Sequence, residues 1–176
     1  MNLRPSSRAA ATTLAALAAL AALMSTPAGA GERTGLPADV PAAYAQECAS
    51  CHIAYPPGLL PRESWRRVMS SLGRHYGTDA SLDGALQRQI EAWLVAHAGT
   101  SRKVVREAPP EDRITRSAWF EREHRAVNAQ TWRLPSVKSA ANCGACHPGA
   151  DQSDFDDDRL RLPEGLSGAE RRRWRD

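Results

Sequence analysis

The stretch ECASCHIAYPPGLLP, residues 47–61, places Cys48 and Cys51 three apart with His52 directly after them. A Cys-x-x-Cys pair alone suits a thiol redox couple or half of a zinc site. The adjoining histidine changes the reading: Cys-x-x-Cys-His is the pattern of c-type haem attachment, in which two thiols add to the porphyrin vinyl groups and the next residue ligates the iron. The same pentapeptide returns as Cys143-Gly-Ala-Cys146-His147, and the two copies use all 4 cysteines of the chain. Zinc gives no reason for a histidine next to the second cysteine in both copies. A disulfide across two residues is strained and more often redox-active than structural. The residues therefore point to two covalently attached haem c groups, held through Cys48, Cys51, Cys143 and Cys146, with His52 and His147 as proximal iron ligands.

The N-terminus reads as a cleaved secretory signal. Arg4 and Arg8 form a basic start, residues 9–23 an apolar run, and Ala28-Gly-Ala30 a small-x-small cleavage site. The apolar run falls short of the roughly 20 residues that a bilayer span requires. No cysteine stands at the cleavage point, so lipidation there is not expected, and nothing after residue 30 is apolar enough to cross a membrane. In a bacterium this predicts the periplasm, with no stable membrane insertion. Removing the first 30 of 176 residues leaves 146, enough for one compact domain or two small ones. With Arg4 and Arg8 gone, 21 of the 23 basic residues face 20 acids, and no concentrated basic face marks a nucleic-acid binder.

Periodicity predicts short helices separated by proline and glycine. Residues 40–51 read as a helix bearing the first motif, and Pro56-Pro57-Gly58 is a turn no helix crosses. Pro61 suits the first position of a helix whose apolar stripe is Trp65, Val68, Met69 and Leu72, with Gly73 as its stop. Ser81 or Asp83 caps a longer helix with the stripe Leu86, Ile90, Trp93, Leu94 and His97, ended by Gly99. Residues 99–116 are polar and contain Pro109-Pro110, a linker by composition. Ser117 opens a helix with His124 near its end, and Ser139 is expected to start the helix that carries the second motif. The fold expected is mostly α with little or no β, cytochrome c-like, with two small helical haem lobes and long loops. The divisions are a signal peptide (1–30), an N-terminal haem domain (31–105), a C-terminal haem domain (106–162) and a flexible basic tail (163–176).

The sixth ligand of each iron decides whether such a protein moves electrons or binds gas. Met69, the single methionine after residue 30, lies on an apolar stripe, where core packing accounts for it. Three histidines stand outside the motifs: His75, His97 and His124. His75 lies 23 residues after His52, and His124 lies 23 before His147, path lengths suited to crossing a haem and returning over its other face. His97 sits on a buried stripe at a helix end and is the spare. The reading favours His75 and His124 as distal ligands; bis-imidazole coordination would leave both haems at low potential with no open site.

With these residues assembled, the chain resembles the soluble dihaem cytochrome c (DHC) family. The resemblance rests on CxxCHIAYPPGLLP at 48–61, SW at 64–65, HYGTDASL at 75–82, WF and EH at 119–124, and KSAANCGACHPGA at 138–150. It implies a periplasmic bis-histidine protein with Cys48, Cys51, His52 and His75 in one lobe and His124, Cys143, Cys146 and His147 in the other. It also implies a membrane cytochrome b as electron donor and a soluble haem protein, an oxygen-binding monohaem cytochrome, as acceptor. The function expected is single-electron carriage rather than enzyme catalysis. A small haem peroxidase or reductase, or a gas-responsive haem sensor, would instead need an open or displaceable axial site. The charged C-terminal end, with five aspartates within 151–158 and four arginines within 171–175, reads first as a solvated, frayed tail; the alternative is that the aspartates rim the second haem and steer a basic partner, the arginines contributing little. Mass spectrometry of the chain matured in a host that assembles c-type cytochromes should show two added haems; one haem, or haem that solvent extracts, would refute double attachment.

Overall fold

Pro41 and Pro61 each precede a helix in extended conformation, their missing N–H groups wasting no hydrogen bond at a helix start. In the computed structural model, which describes residues 36–174, six short α-helices follow one another, joined by 3-10 turns: α1 (Ala42–Cys48), α2 (Arg62–Ser70), α3 (Gly84–Ala96), α4 (Arg102–Val105), α5 (Ala118–Glu123) and α6 (Gly168–Arg173). Among the described residues there is no strand, only an isolated bridge between His75 and Thr78. The fold is helical, as expected, and the expected signal segment lies outside the described residues.

Side-chain caps fix the helix starts where proline does not. Asp83 accepts from the N–H groups of Ala85 and Leu86 to open α3, and Ser117 accepts from Phe120 N–H to open α5. The α2 stripe packs on the α3 stripe: Trp65 and Met69 meet Ile90, Trp93 and Leu94, with Tyr44 of α1 and Leu60 completing one buried cluster. Each such side chain contributes about 1.5–3 kcal/mol by leaving water. Met69 is thus a core residue. The Trp65 indole stays satisfied by donating to Pro57 O at 2.7 Å. Gly99 is required by close approach, since a Cβ there would stand 2.4 Å from the Gly58 carbonyl oxygen.

Three local expectations are corrected. The polar stretch 99–116 is not structureless: it holds α4, which buries Val104, and Asp112 takes two hydrogen bonds from Arg67 at 2.8 and 2.6 Å. No α-helix runs from Ser139 into the second motif. Lys138 takes a left-handed φ of 70°, Ser139 accepts from Ala141 N–H, and the Asn142 amide donates to Val137 O. These local bonds compete with helix nucleation, leaving only a 3-10 turn at Cys143–Ala145. The end of the chain is not frayed up to residue 174. Ser167 and Glu170 form a reciprocal capping box that starts α6, and the Glu170 carboxylate also accepts from Asn128 and from Thr131.

The chain after residue 116 lacks a matching core. Its buried apolar residues are Phe120, Val137, Ala150 and Leu166, and they do not join the cluster around Trp65. Replacing Ile90 by alanine should cost about 2–5 kcal/mol in denaturant unfolding of the haem-loaded protein. A loss well under about 1 kcal/mol would mean that the cluster does not hold the N-terminal half together.

Candidate haem sites

Four of the chain's histidines meet in two pairs. His52 and His75 have ring centroids 6.1 Å apart, and His124 and His147 are 6.3 Å apart. Neither separation is a hydrogen bond or a stacking contact. A metal bonded to one imidazole nitrogen on each side, about 2 Å from each, with each ring centre about 1 Å farther out, needs ring centres about 6 Å apart. Both pairs fit that span, and each joins a motif histidine to one from its own part of the chain. His97 belongs to neither pair. Its Nδ1 donates to Trp93 O at 2.9 Å and its Nε2 lies 3.4 Å from Asp39.

Two of the four rings are aimed by a backbone carbonyl. His52 Nδ1 donates to Ile53 O at 2.6 Å, and His124 Nδ1 donates to Phe120 O at 2.9 Å. A carbonyl can only accept, so Nδ1 of both rings carries a proton, and Nε2 is the nitrogen left to meet a metal. His147 Nδ1 is buried without a partner. Burial, and next the facing histidine, lower the proton affinity of His75 and of His147, favouring the neutral imidazole that a metal binds. His75 is held by a tight turn in which Tyr76 and Gly77 both take positive φ, 50° and 99°. The strained Tyr76 is tied down at its ring by the Arg113 guanidinium, 4.1 Å from the centroid, and at its hydroxyl, which lies 3.1 and 3.2 Å from Glu111 O and Asp112 O.

The second pair opens into a cavity of about 470 Å³. Its wall includes Trp119, Phe120, Trp132 and Phe155 together with Cys143 and Cys146. That volume lies within the roughly 300–1,000 Å³ usual for cofactor pockets. Phe120 stacks on His124 at 3.9 Å and 18°, and Phe155 meets His147 edge-on at 5.5 Å. Burial pushes the Cys48 and Cys143 thiols up to about 11 each, so both are neutral thiols at neutral pH. No cluster of three or more metal-ligating side chains exists among the described residues. An apolar hollow, two cysteines at its wall and two facing imidazoles fit a covalently attached haem.

Sequence reasoning missed Tyr55. Its ring stacks on His52 at 4.7 Å and 25°, its hydroxyl donates to Ala141 O at 2.7 Å, and it lines the second cavity. One residue therefore touches both sites. Its place three residues after a motif histidine was the available signal. Phe120, four residues before His124 on α5, was legible by helical spacing alone. The aspartates expected to steer a partner are partly occupied within the chain: Asp154 and Asp156 both pair with Arg159, and Asp156 accepts from Asp158 N–H.

The profile of the dihaem cytochrome c family matches residues 44–155. The crystal structure of DHC purified from Rhodobacter sphaeroides is 39% identical, with a TM-score of 0.58, over 68% of this chain and 99% of that one. A dihaem cytochrome c from Shewanella baltica OS155 is 36% identical, with a TM-score of 0.61, over 71% of this chain and 96% of that one. Among curated proteins nothing matches. Histidine pairs at metal-bridging distance, paired attachment motifs and these likenesses converge: the chain belongs to the dihaem cytochrome c family and carries two covalently bound haem c groups.

Proposed function

We propose that the chain is a periplasmic carrier of single electrons whose two irons are both closed by histidine, the first between His52 and His75 and the second between His124 and His147. The observation that carries this is the pair of ring separations, 6.1 and 6.3 Å, each matched to one metal between two imidazoles. Bound haem c supplies a one-electron iron couple. The chain supplies the rest. Cys48, Cys51, Cys143 and Cys146 are the attachment thiols. Ile53 O and Phe120 O fix the tautomers of His52 and His124, so that the ligating nitrogens face the metal without a proton. Phe120, Trp132 and Phe155 keep water from the second pair. With imidazole on both sides no coordination position is left for substrate, which favours carriage over peroxidase, reductase or gas-sensing chemistry.

The donor in this reading is a membrane cytochrome b and the acceptor a soluble oxygen-binding haem protein. The signal-like start at residues 1–30 supports secretion. Among the described residues no helix is long and apolar enough to cross a membrane.

Carbon monoxide should leave the spectrum of the reduced wild-type protein unchanged. His75→Ala and His124→Ala should each open one haem to carbon monoxide, while His97→Ala opens none. Binding of carbon monoxide by the wild type would overturn the closed-site reading. The pairs also differ in ring crossing, 34° in the first and 74° in the second. Nearly parallel imidazoles raise the same iron d orbital, whereas crossed ones raise two more equally. The oxidised protein should therefore give two distinct low-spin signals in electron paramagnetic resonance, with the more anisotropic one lost in His124→Ala; two superimposable signals would contradict the geometry.

A further inference from the structure

The segment after residue 155 lies beyond the part of the chain that the family profile matches, yet it reaches the second site. Leu166 is buried, the capping box fixes the start of α6, and the Glu170 carboxylate is bonded to Asn128 and Thr131, so the last turn of the helix is positioned rather than loose. That turn places Arg173 and Trp174 in the wall of the 470 Å³ cavity, together with Cys146, His147, Phe155 and Leu160. The cavity's charged lining is otherwise acidic. Glu123 and Asp157 contribute negative charge, and Arg173 is the one Lys or Arg among the described lining residues. A haem brings two propionate carboxylates of its own. Placed against Glu123 and Asp157 alone, they would concentrate negative charge in an apolar pocket, where charge is poorly screened.

We propose that α6 is a cap on the second haem site, with Arg173 the countercharge to the haem carboxylates and Trp174 the shield that keeps water from the haem edge. This rests on the assignment of His124 and His147 to one haem. Both residues act on potential in the same direction. Uncompensated carboxylates stabilise the ferric state, which carries one more positive charge than the ferrous. Water does likewise, because it solvates the more charged form. The cap therefore raises the potential of the second haem and leaves the first, whose histidines lie on other elements, unaffected. An arginine suits the task because its guanidinium binds a carboxylate in bidentate fashion and never loses its charge. The cluster at the end of the chain, unassigned by sequence, thereby gains a role in tuning the cofactor.

The test is a redox titration of the haem-loaded full-length protein, followed by electron paramagnetic resonance so that each haem reports separately. Arg173→Gln should shift the reduction equilibrium of the second haem roughly three- to tenfold toward the oxidised form, a tenfold change being about 59 mV for one electron. Arg173→Lys should recover most of that shift, and Trp174→Ala should move the same haem the same way. Deletion of residues 167–176 should give the largest shift, still confined to that haem. Unchanged potentials in Arg173→Gln and Trp174→Ala, or equal shifts at both haems, would overturn the proposal. Arg173→Gln keeps the result decisive even where the deletion impairs folding, because a single exposed-side substitution leaves the capping box intact. Failure of the ligand assignment looks different: the wild type would then show a haem that binds carbon monoxide, whereas failure of the cap alone leaves two closed low-spin haems with unaltered potentials.

Discussion

Two imidazoles about 6 Å apart, in each of two places, are the constraint around which the rest of the chain is arranged. At that separation the rings do not hydrogen-bond to one another, so other groups must set their orientation. Three of the four rings are fixed from behind. A carbonyl takes the Nδ1 proton of His52 and of His124, Tyr55 and Phe120 stack on those same rings, and a strained turn at Tyr76 and Gly77 presents His75. The short helices serve this arrangement. α5 is six residues long, enough to set Phe120 one turn ahead of His124 and little else.

What the sequence disclosed and what it withheld divide along a physical line. The attachment motifs are covalent chemistry written at fixed spacing, so Cys48, Cys51, His52 and their counterparts needed no tertiary information. The α2 and α3 stripes were legible because both helices bury one face against the other at helical period. The second motif's helix was misread because its backbone is satisfied by Ser139 and Asn142 side chains, bonds that compete with a helix and leave no periodic trace. The chain's end was misread for a related reason. Its order depends on Glu170 reaching Asn128 and Thr131, about 40 residues away in sequence, and local composition is blind to such a bond. Tyr55 was hidden because its meaning is long-range: its partner Ala141 is 86 residues distant.

That Tyr55 contact joins the two sites mechanically. Its ring bears on His52 while its hydroxyl grips the backbone just before Cys143, and Tyr44 in turn donates to Tyr55 O at 2.6 Å. His52 and the backbone ahead of the second motif are therefore bridged by one side chain with only two rotatable bonds. The two haem sites are not independent beads on a string; they share a strut.

The hollow beside His124 and His147 also governs the order in which this half of the chain becomes stable. Aromatic residues there touch one another, as Phe120 does Trp119 and Trp132, but they also wall a cavity of about 470 Å³, and native packing density is reached only when that volume is filled. Filled through bonds that do not dissociate, it closes for good. Attachment of haem and consolidation of this half are thus a single event.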